Sequence, residues 1–337
     1  MISEYFSAYE DLNIHKLMLT DTVRVKSYKD AILSNKELFK DSIVLDVGAG
    51  CGILSIFAAQ AGAKRVYAVE AAGSLTPMIK KVVEDNNYTK VVQVIVGEME
   101  SVIIPEKVDI IISEWMGFFL LHEGMLDSVL FAKKYLKPNG IMFPEECSIF
   151  VSICELPHYF DEWNDLHGVK MDEFGKAIRL IAQGKPEIGY VSKDYLLSDP
   201  LEIFRFKPLE SDQSKFRKIT AKHVVSAKRP GKFQGVCIWF DVKFPIPTGN
   251  VVLSTSPYGP ETHWKQTIVV LPHEILLEDH EPVAFELTFF RMQRRNYQIT
   301  FELHETDGIE HPTPCDCHLA RCRVIKAFLA ERPDDPA

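Results

Sequence analysis

No run of about eighteen uncharged apolar residues occurs in this 337-residue chain, so no membrane-spanning helix and no membrane partner is expected. The opening MISEYFSAYEDL lacks a basic segment leading into an apolar one, which excludes a secretory signal. Positive charge is in short supply: 38 Lys and Arg face 47 Asp and Glu, for a net charge of -9. Such a balance is poorly suited to gripping nucleic-acid phosphates and better suited to attracting a cationic substrate. Cysteine is sparse, odd in number and scattered (Cys51, Cys147, Cys154, Cys237, Cys315, Cys317 and Cys322), which argues for a reducing compartment over a disulfide framework. Repeats and low-complexity segments are also missing. With 46% hydrophobic and 25% charged residues, disordered, collagen-like and coiled-coil classes are excluded. What is left is a soluble, intracellular chain, nuclear or cytoplasmic, of one large or two ordinary domains.

The residue pattern changes near Pro144. Before it, apolar runs at Ile43–Val47, Val66–Val69, Val91–Val96 and Val108–Ile112 alternate with helical stretches at Ile53–Ala61, Leu75–Asn86 and Glu123–Leu136. Strands alternating with helices predict right-handed crossovers on a mostly parallel sheet. After Pro144, alternation of period two at Ser148–Cys154, Ile219–Ala227, Val236–Phe244, Ala284–Phe290 and Gln298–Leu303 predicts an antiparallel barrel or sandwich. Residues His158–Ala182, rich in aromatics and acids, read as an inserted helical excursion, and Glu331–Ala337 as a frayed tail. The expected division is 1–40, 41–144 and 145–337.

Residues 44–54 read VLDVGAGCGIL, an apolar strand running through Asp46 into Gly48, Gly50 and Gly52 and then into a helix. Glycines allow a sharp turn and a close backbone approach to a ligand, and the helix start offers free N–H donors. Twenty residues after Gly50, Glu70 ends the next strand, placed to accept hydrogen bonds from both hydroxyls of a ribose. A tight turn beside a strand-end acid would give the same residues. However, the full strand–turn–helix–strand–acid context supports an adenosine ligand. The GxGxG spacing departs from the GxGxxG of dinucleotide binders, and no Lys-Ser/Thr pair follows. VLDVGAGCG with the later acid resembles the first motif of class I methyltransferases, which points to S-adenosylmethionine over NAD.

A second signal is SEWMGFFLLHE at 113–123. Glu114 ends an apolar strand, where open α/β sheets bind ligands, and Glu123 is read as opening the next helix. An aromatic hairpin between two acids can bring both carboxylates to one dry site. There they repel unless they share a proton or hold a cation, and a planar guanidinium offers paired donors in the fitting geometry. Taken singly, Glu114 would be a surface acid and Glu123 a helix N-terminal acid. A third signal, THW at 262–264, sits in a turn-rich stretch and alone reads as a loop with a packed Trp.

Together these features resemble the protein arginine methyltransferases, in particular the asymmetric-dimethylating type I group, over roughly residues 4–305. The matching elements are YFxxY (Tyr5, Phe6, Tyr9), the glycine loop, Glu70, GEMES, the double-Glu hairpin and THW. The resemblance implies a Rossmann-like methyltransferase domain followed by an antiparallel β-barrel domain with a dimerisation arm at about 158–182. It implies S-adenosyl-L-methionine as cofactor, S-adenosyl-L-homocysteine as product, and a homodimer. The implied substrates are arginine-containing proteins such as histones and Arg/Gly-rich proteins. Residue by residue, it assigns Gly48, Gly50 and Gly52 to the methionine part of the cofactor, Arg24 to its carboxylate, and Glu70 to the ribose. Met99 and Glu100 would read the adenine and Phe6 would cover it, with His15, Met18 and Asp46 also in the cofactor set. Glu114 and Glu123 would clamp the substrate guanidinium, Asp21 and His263 would pair beside it, and Trp264 would wall its channel. Tyr5 and Tyr9 would close the site, while Met18 and Met125 would shape the product.

Departures from the family pattern are Cys51 in the glycine loop and CDCHLARCRV after residue 305. A zinc reading of Cys315, Cys317 and Cys322 needs His318 or His311 as fourth ligand, and the spacing matches known sites poorly, so no metal is expected. The chain begins almost at YFxxY, so no long N-terminal extension is expected. The alternative function is a catalytically weak or silent relative acting as a dimeric scaffold. A small-molecule methyltransferase is disfavoured by the double-Glu hairpin, and symmetric dimethylation by Met18 and THW.

Overall fold

The computed structural model describes residues 11–245, 251–293 and 295–331. Three helices, α1 (Leu12–Thr20), α2 (Thr22–Ser34) and α3 (Lys36–Phe39), lead into a five-stranded sheet. Its strands are β1 (Ile43–Val47), β2 (Arg65–Glu70), β3 (Val92–Val96), β4 (Val108–Ile112) and β5 (Leu136–Phe143), in the order β3-β2-β1-β4-β5. All four pairings are parallel. Helices α4 (Ile53–Gln60), α5 (Thr76–Asp85) and α6 (Leu126–Ala132) supply crossovers. β1, β2 and β4 are buried along nearly their whole length, as a sheet covered on both faces requires. The strand order reverses between β1 and β4, and their C-terminal ends open the crevice where such sheets bind ligands.

Two expectations in this half are corrected. The helix expected from Glu123 starts at Leu126, because Glu123 and Gly124 have φ of 75° and 61° and cannot open a right-handed turn. It also stops at Ala132, and Leu136 begins β5, whose Pro-Asn-Gly reads as a turn. Pro138 is tolerated because β5 is an edge strand, and a register shift between Val108 and Ile110 absorbs the irregularity.

Beyond the cis Phe143–Pro144 bond the chain turns antiparallel. The strands are β6 (Glu146–Cys154), β7 (Glu187–Gly189), β8 (Leu201–Phe206), β9 (Lys218–Ser226), β10 (Gly231–Lys243), β11 (Val252–Ser254), β12 (Gln266–Leu277), β13 (Pro282–Gln293) and β14 (Asn296–His304). They form one sheet ordered β7-β12-β10-β6-β8, with β11 on β10, and a second ordered β14-β13-β9. Among the described residues the hydrogen-bonded ladders form these two sheets and do not close into one ring. Side chains join them instead: Phe301 lies 6.2 Å from Phe233 and 5.3 Å from Phe285, ring to ring. One continuous apolar core runs through both halves, with Tyr28 against Phe244 and Phe39 against Phe143 at the seam.

The excursion at 158–182 is helical only in part. A short 3-10 turn at Asp161–Trp163 precedes α7 (Asp172–Ala182), which leaves Phe174, Leu180 and Ile181 exposed. After β14 the chain forms α8 (Ala320–Ala330), which the sequence patterns did not reveal. The expected frayed tail lies, apart from Glu331, outside the described residues.

Candidate active site

One cavity of about 490 Å³ lies at the C-terminal ends of β1, β2 and β4. Its floor is the glycine turn after β1. Gly48, Gly50 and Gly52 have φ of 72°, 55° and 82°, a region where a Cβ is strained. A Cβ on Gly48 would lie 2.1 Å from the Met125 methyl, so its absence makes room for that thioether. Glu70, at the end of β2, accepts from the backbone N–H of Gly50 and of Ala72, each at 2.7 Å. Burial raises the Glu70 carboxyl, and those two N–H groups work against the rise. His15 on α1 covers Gly50, its ring 3.7 Å from where a Cβ would stand. Met99 and Glu100 line the far end, and Glu100 accepts a 2.9 Å bond from Ser128.

Glu114 and Glu123 line this same cavity, carried by one hairpin between β4 and α6. The hairpin is held by the reciprocal bridge of Gly117 and Leu120 at 3.1 and 3.0 Å, and turns through left-handed Phe119 and Leu120. Its outer end is tied to the β14 side: Glu123 N–H donates to the Arg295 carbonyl at 2.9 Å, and the Arg295 guanidinium donates to the Glu123 carbonyl at 3.1 Å. The left-handed backbone of Glu123 costs on the order of 1–2 kcal/mol and persists because both partners hold it.

The Glu114 carboxylate is engaged. Its Oε2 accepts from Arg24 Nε at 2.8 Å and Nη2 at 2.7 Å, and its Oε1 from the Met116 N–H at 3.2 Å. Arg24 also donates through Nη1 to the Met18 carbonyl at 3.0 Å. The two residues that the resemblance gave to the cofactor carboxylate and to the substrate guanidinium are thus paired with each other here. The physical reason is proximity: two opposite charges, 10% and 8% exposed, meet where α2 crosses the end of β4.

Asp21 and His263 do meet. The caps of α1 and α2 place the Asp21 carboxylate so that Oδ1 takes the Arg24 N–H, while Oδ2 takes the His263 N–H at 2.9 Å and faces its Nδ1 at 2.7 Å. Burial would raise the Asp21 carboxyl, but these hydrogen bonds outweigh it and hold it below its ordinary value. An ionised carboxylate only accepts, so Nδ1 carries the hydrogen and Nε2 is the ring's acceptor. His263 reaches the cavity wall and Asp21 stands behind it. Trp264 packs on the His263 ring at 4.0 Å and donates to the Met116 carbonyl at 2.9 Å, fixing the hairpin from the β half.

Asp46 is not in the cavity. It is fully buried under the glycine turn, accepts from Ser55 at 2.6 Å, and burial pushes its carboxyl up to about 7. It is a support for the loop, because the side chain of β1 at that position points into the sheet's packing. The expected roles of Tyr5, Phe6 and Tyr9 fall outside the described residues. Met18, Met125 and Trp264 all reach the cavity. Sequence reasoning missed Phe118, Ser128 and Arg295, which also line it. Arg295 comes from the β13–β14 turn, some 170 residues from the hairpin it braces, and no local motif marks it.

This arrangement has counterparts in known proteins. Residues 145–308 match the family model described as the arginine methyltransferase oligomerization subdomain, and residues 30–142 match that of ribosomal protein L11 methyltransferase. The chain is 39% identical over 319 residues to protein arginine N-methyltransferase 1 of Saccharomyces cerevisiae, covering 91% of this chain and 89% of that protein. It is 38% identical over 293 residues to protein arginine N-methyltransferase 6 of Xenopus tropicalis, covering 85% and 86%. Among solved structures, the Trypanosoma brucei PRMT1 enzyme-prozyme heterotetrameric complex with AdoHcy aligns with a TM-score of 0.79 at 31% identity, over 90% of this chain and 98% of that one. Shared sequence across both halves, on a common fold, places this chain in the protein arginine N-methyltransferase family.

Proposed function

We propose that this chain methylates arginine side chains in proteins, giving mono- and asymmetric dimethylarginine. The observation that carries the reading is the position of Glu114 and Glu123, two carboxylates in one cavity beside the glycine turn and Glu70. The cofactor is S-adenosyl-L-methionine, which supplies a methyl group on a sulfonium. The residues present fit it, since Gly48 and Gly50 of the glycine turn line one cavity of about 490 Å³ together with Glu70, Met99 and Glu100. Glu70 keeps lone pairs beyond its two backbone bonds for a ribose. Arg24 uses three of its five N–H groups on Glu114 and Met18, and the others suit a cofactor carboxylate.

Arginine has a pKa above about 12, so outright deprotonation at neutral pH is costly. Orientation and charge placement do the work instead. Glu114 and Glu123 draw positive charge toward the nitrogens they bind and leave the attacking nitrogen richer in electrons. Each such bond contributes about 1.5–3 kcal/mol. His263, held in its Nδ1–H form by Asp21, offers Nε2 to the released proton. Trp264 excludes water from one wall, while Met18 and Met125 limit the space around the nitrogen. A division into 1–40, 41–144 and 145–337 would serve this chemistry, since among the described residues α1 and α2, the parallel sheet and the β half all contribute to one crevice.

Incubation with methyl-labelled cofactor and an Arg/Gly-rich peptide or a histone mixture is expected to yield label in asymmetric dimethylarginine, read by mass analysis of the hydrolysate. Cofactor binding without methylated product would instead support the scaffold reading.

The oligomerisation match supports a role for this half in assembly. We propose a homodimer in which α7 docks its exposed Leu180 and Ile181 on the partner's cofactor half, burying faces that are otherwise 71% and 64% exposed. Sedimentation at micromolar concentration is expected to show twice the 38.4 kDa chain mass, and the double variant Leu180→Glu, Ile181→Glu to show a monomer. A monomeric parent chain, or a dimeric variant, would remove the arm from the interface.

A further inference from the structure

Away from the cavity, one group of side chains is unaccounted for by the methyl-transfer chemistry. His311, Cys315, Cys317 and Cys322 bring their ligand atoms within 4.8 Å of one another. The three cysteines are free thiols, nearly fully buried, and form a small core of their own with Leu319 packed on it. None of the four lines the active cavity.

Hydrogen bonding to the His311 ring accounts for only part of the geometry. His311 Nε2 lies 2.9 Å from the Thr306 carbonyl, which only accepts, so Nε2 carries the ring hydrogen. Nδ1 then has a single lone pair, able to take one S–H. Yet three sulfurs surround it, from Cys315 at 3.5 Å, Cys317 at 3.5 Å and Cys322 at 3.4 Å. A tetrahedral zinc centre with bonds of about 2.3 Å to sulfur and about 2.0 Å to nitrogen has nitrogen–sulfur edges of about 3.5 Å. The three measured distances are those edges. The Nε2–H···O=C bond is also the support that metal-bound histidines commonly have, since it fixes the tautomer and aims the ring.

We propose that His311, Cys315, Cys317 and Cys322 form a structural zinc site that pins residues 305–330 onto the β half. Four buried protein ligands and no open position are the marks of a structural rather than a catalytic zinc. Cys322 is the third residue of α8, so that helix starts at the site. Three buried thiols and one leucine are a weak core for holding a segment of this length, and a metal makes up the deficit. The anchored segment is attached to the β half around the site. The His318 N–H donates to the His280 carbonyl at 2.9 Å, Asp316 pairs with Lys228 at 3.4 Å, and Ser226 on β9 touches Cys315 at 3.9 Å. The proposal departs from the expectation of no metal. The H-x3-C-x-C-x4-C spacing matches no common pattern because the chain, not a regular knuckle, brings the ligands together, and His311 rather than His318 is the fourth.

The test is metal analysis of the full chain, purified under reducing conditions without a polyhistidine tag and after reconstitution with zinc alone. About one zinc per chain is expected, with X-ray absorption showing three sulfurs at about 2.3 Å and one nitrogen at about 2.0 Å. Cobalt in its place is expected to give the intense visible bands of a tetrahedral thiolate site. Cys322→Ser and His311→Ala are expected to cut occupancy at least tenfold, and His318→Ala to leave it unchanged. Zinc below about one tenth per chain in the folded parent protein, a Cys–Cys disulfide by mass, or a first shell without sulfur would each overturn the proposal without reference to any variant. Methylation activity is not the readout, so failure here would leave the proposed function standing.

Discussion

Glu114→Gln is expected to lower turnover by about 10²–10³-fold, the scale seen when one preorganised group facing the reacting centre is removed, while cofactor affinity changes by less than about tenfold. Glutamine keeps the shape of the side chain and removes the charge. The two short contacts from Arg24 lose their ionic partner, and the bonds this carboxylate offers a guanidinium weaken by about 1.5–3 kcal/mol each. The hairpin survives, because its bridge and its bond to Trp264 use backbone atoms. Single-turnover rates with an Arg/Gly-rich peptide, beside calorimetric titration of the cofactor, separate the outcomes. Unimpaired methylation would refute the carboxylate clamp. Loss of turnover together with cofactor binding would mean that Glu114 acts through Arg24 on the cofactor and not on the substrate.

Gly117→Ala is expected to cost about 10²-fold in turnover by displacing that hairpin, since misplacing reacting groups by about 1 Å has effects of this size. A Cβ at this position would stand 2.1 Å from the His122 carbonyl oxygen and 2.6 Å from its carbon. Both are backbone atoms, so no rotamer change relieves the contact and the two sides of the hairpin must separate. Glu114 and Glu123 sit on those two sides. Overpacking of this kind also destabilises by about 1–3 kcal/mol, which thermal unfolding would register. Gly259→Ala is the control: its nearest neighbour is 3.7 Å away, and neither activity nor melting is expected to change. Parent-like turnover in Gly117→Ala would mean that the hairpin does not set the distance between the acids.

The two predictions differ in how visible their residues are in the sequence. The glycine turn, Glu70 and the double-Glu hairpin each lie within about ten residues of a strand end, and strands β1 and β4 were readable from their apolar runs alone. Local patterning therefore placed them at one edge of a parallel sheet, and their family spacing named the chemistry. Asp21 with His263 was legible only through resemblance, because 242 residues separate the partners. The Arg24–Glu114 pair, the bracing of Glu123 by Arg295 and the burial of Asp46 were not legible at all. Position along the chain does not say which of several nearby charges will meet first, nor which face of a buried strand an acid will take.

Fold class, the cofactor turn and the acids at the strand ends were determined by the sequence itself, because hydrophobic period, glycine permissiveness and strand-end position are local properties that act before any long-range contact forms. Which carboxylate Arg24 engages, how tightly Gly117 must pack, and that His311 rather than His318 joins the three thiols around one point were decided only by the tertiary structure. Charge pairing, close packing and metal-ligand geometry depend on distances in space, and those exist only once the two halves have closed on their shared core.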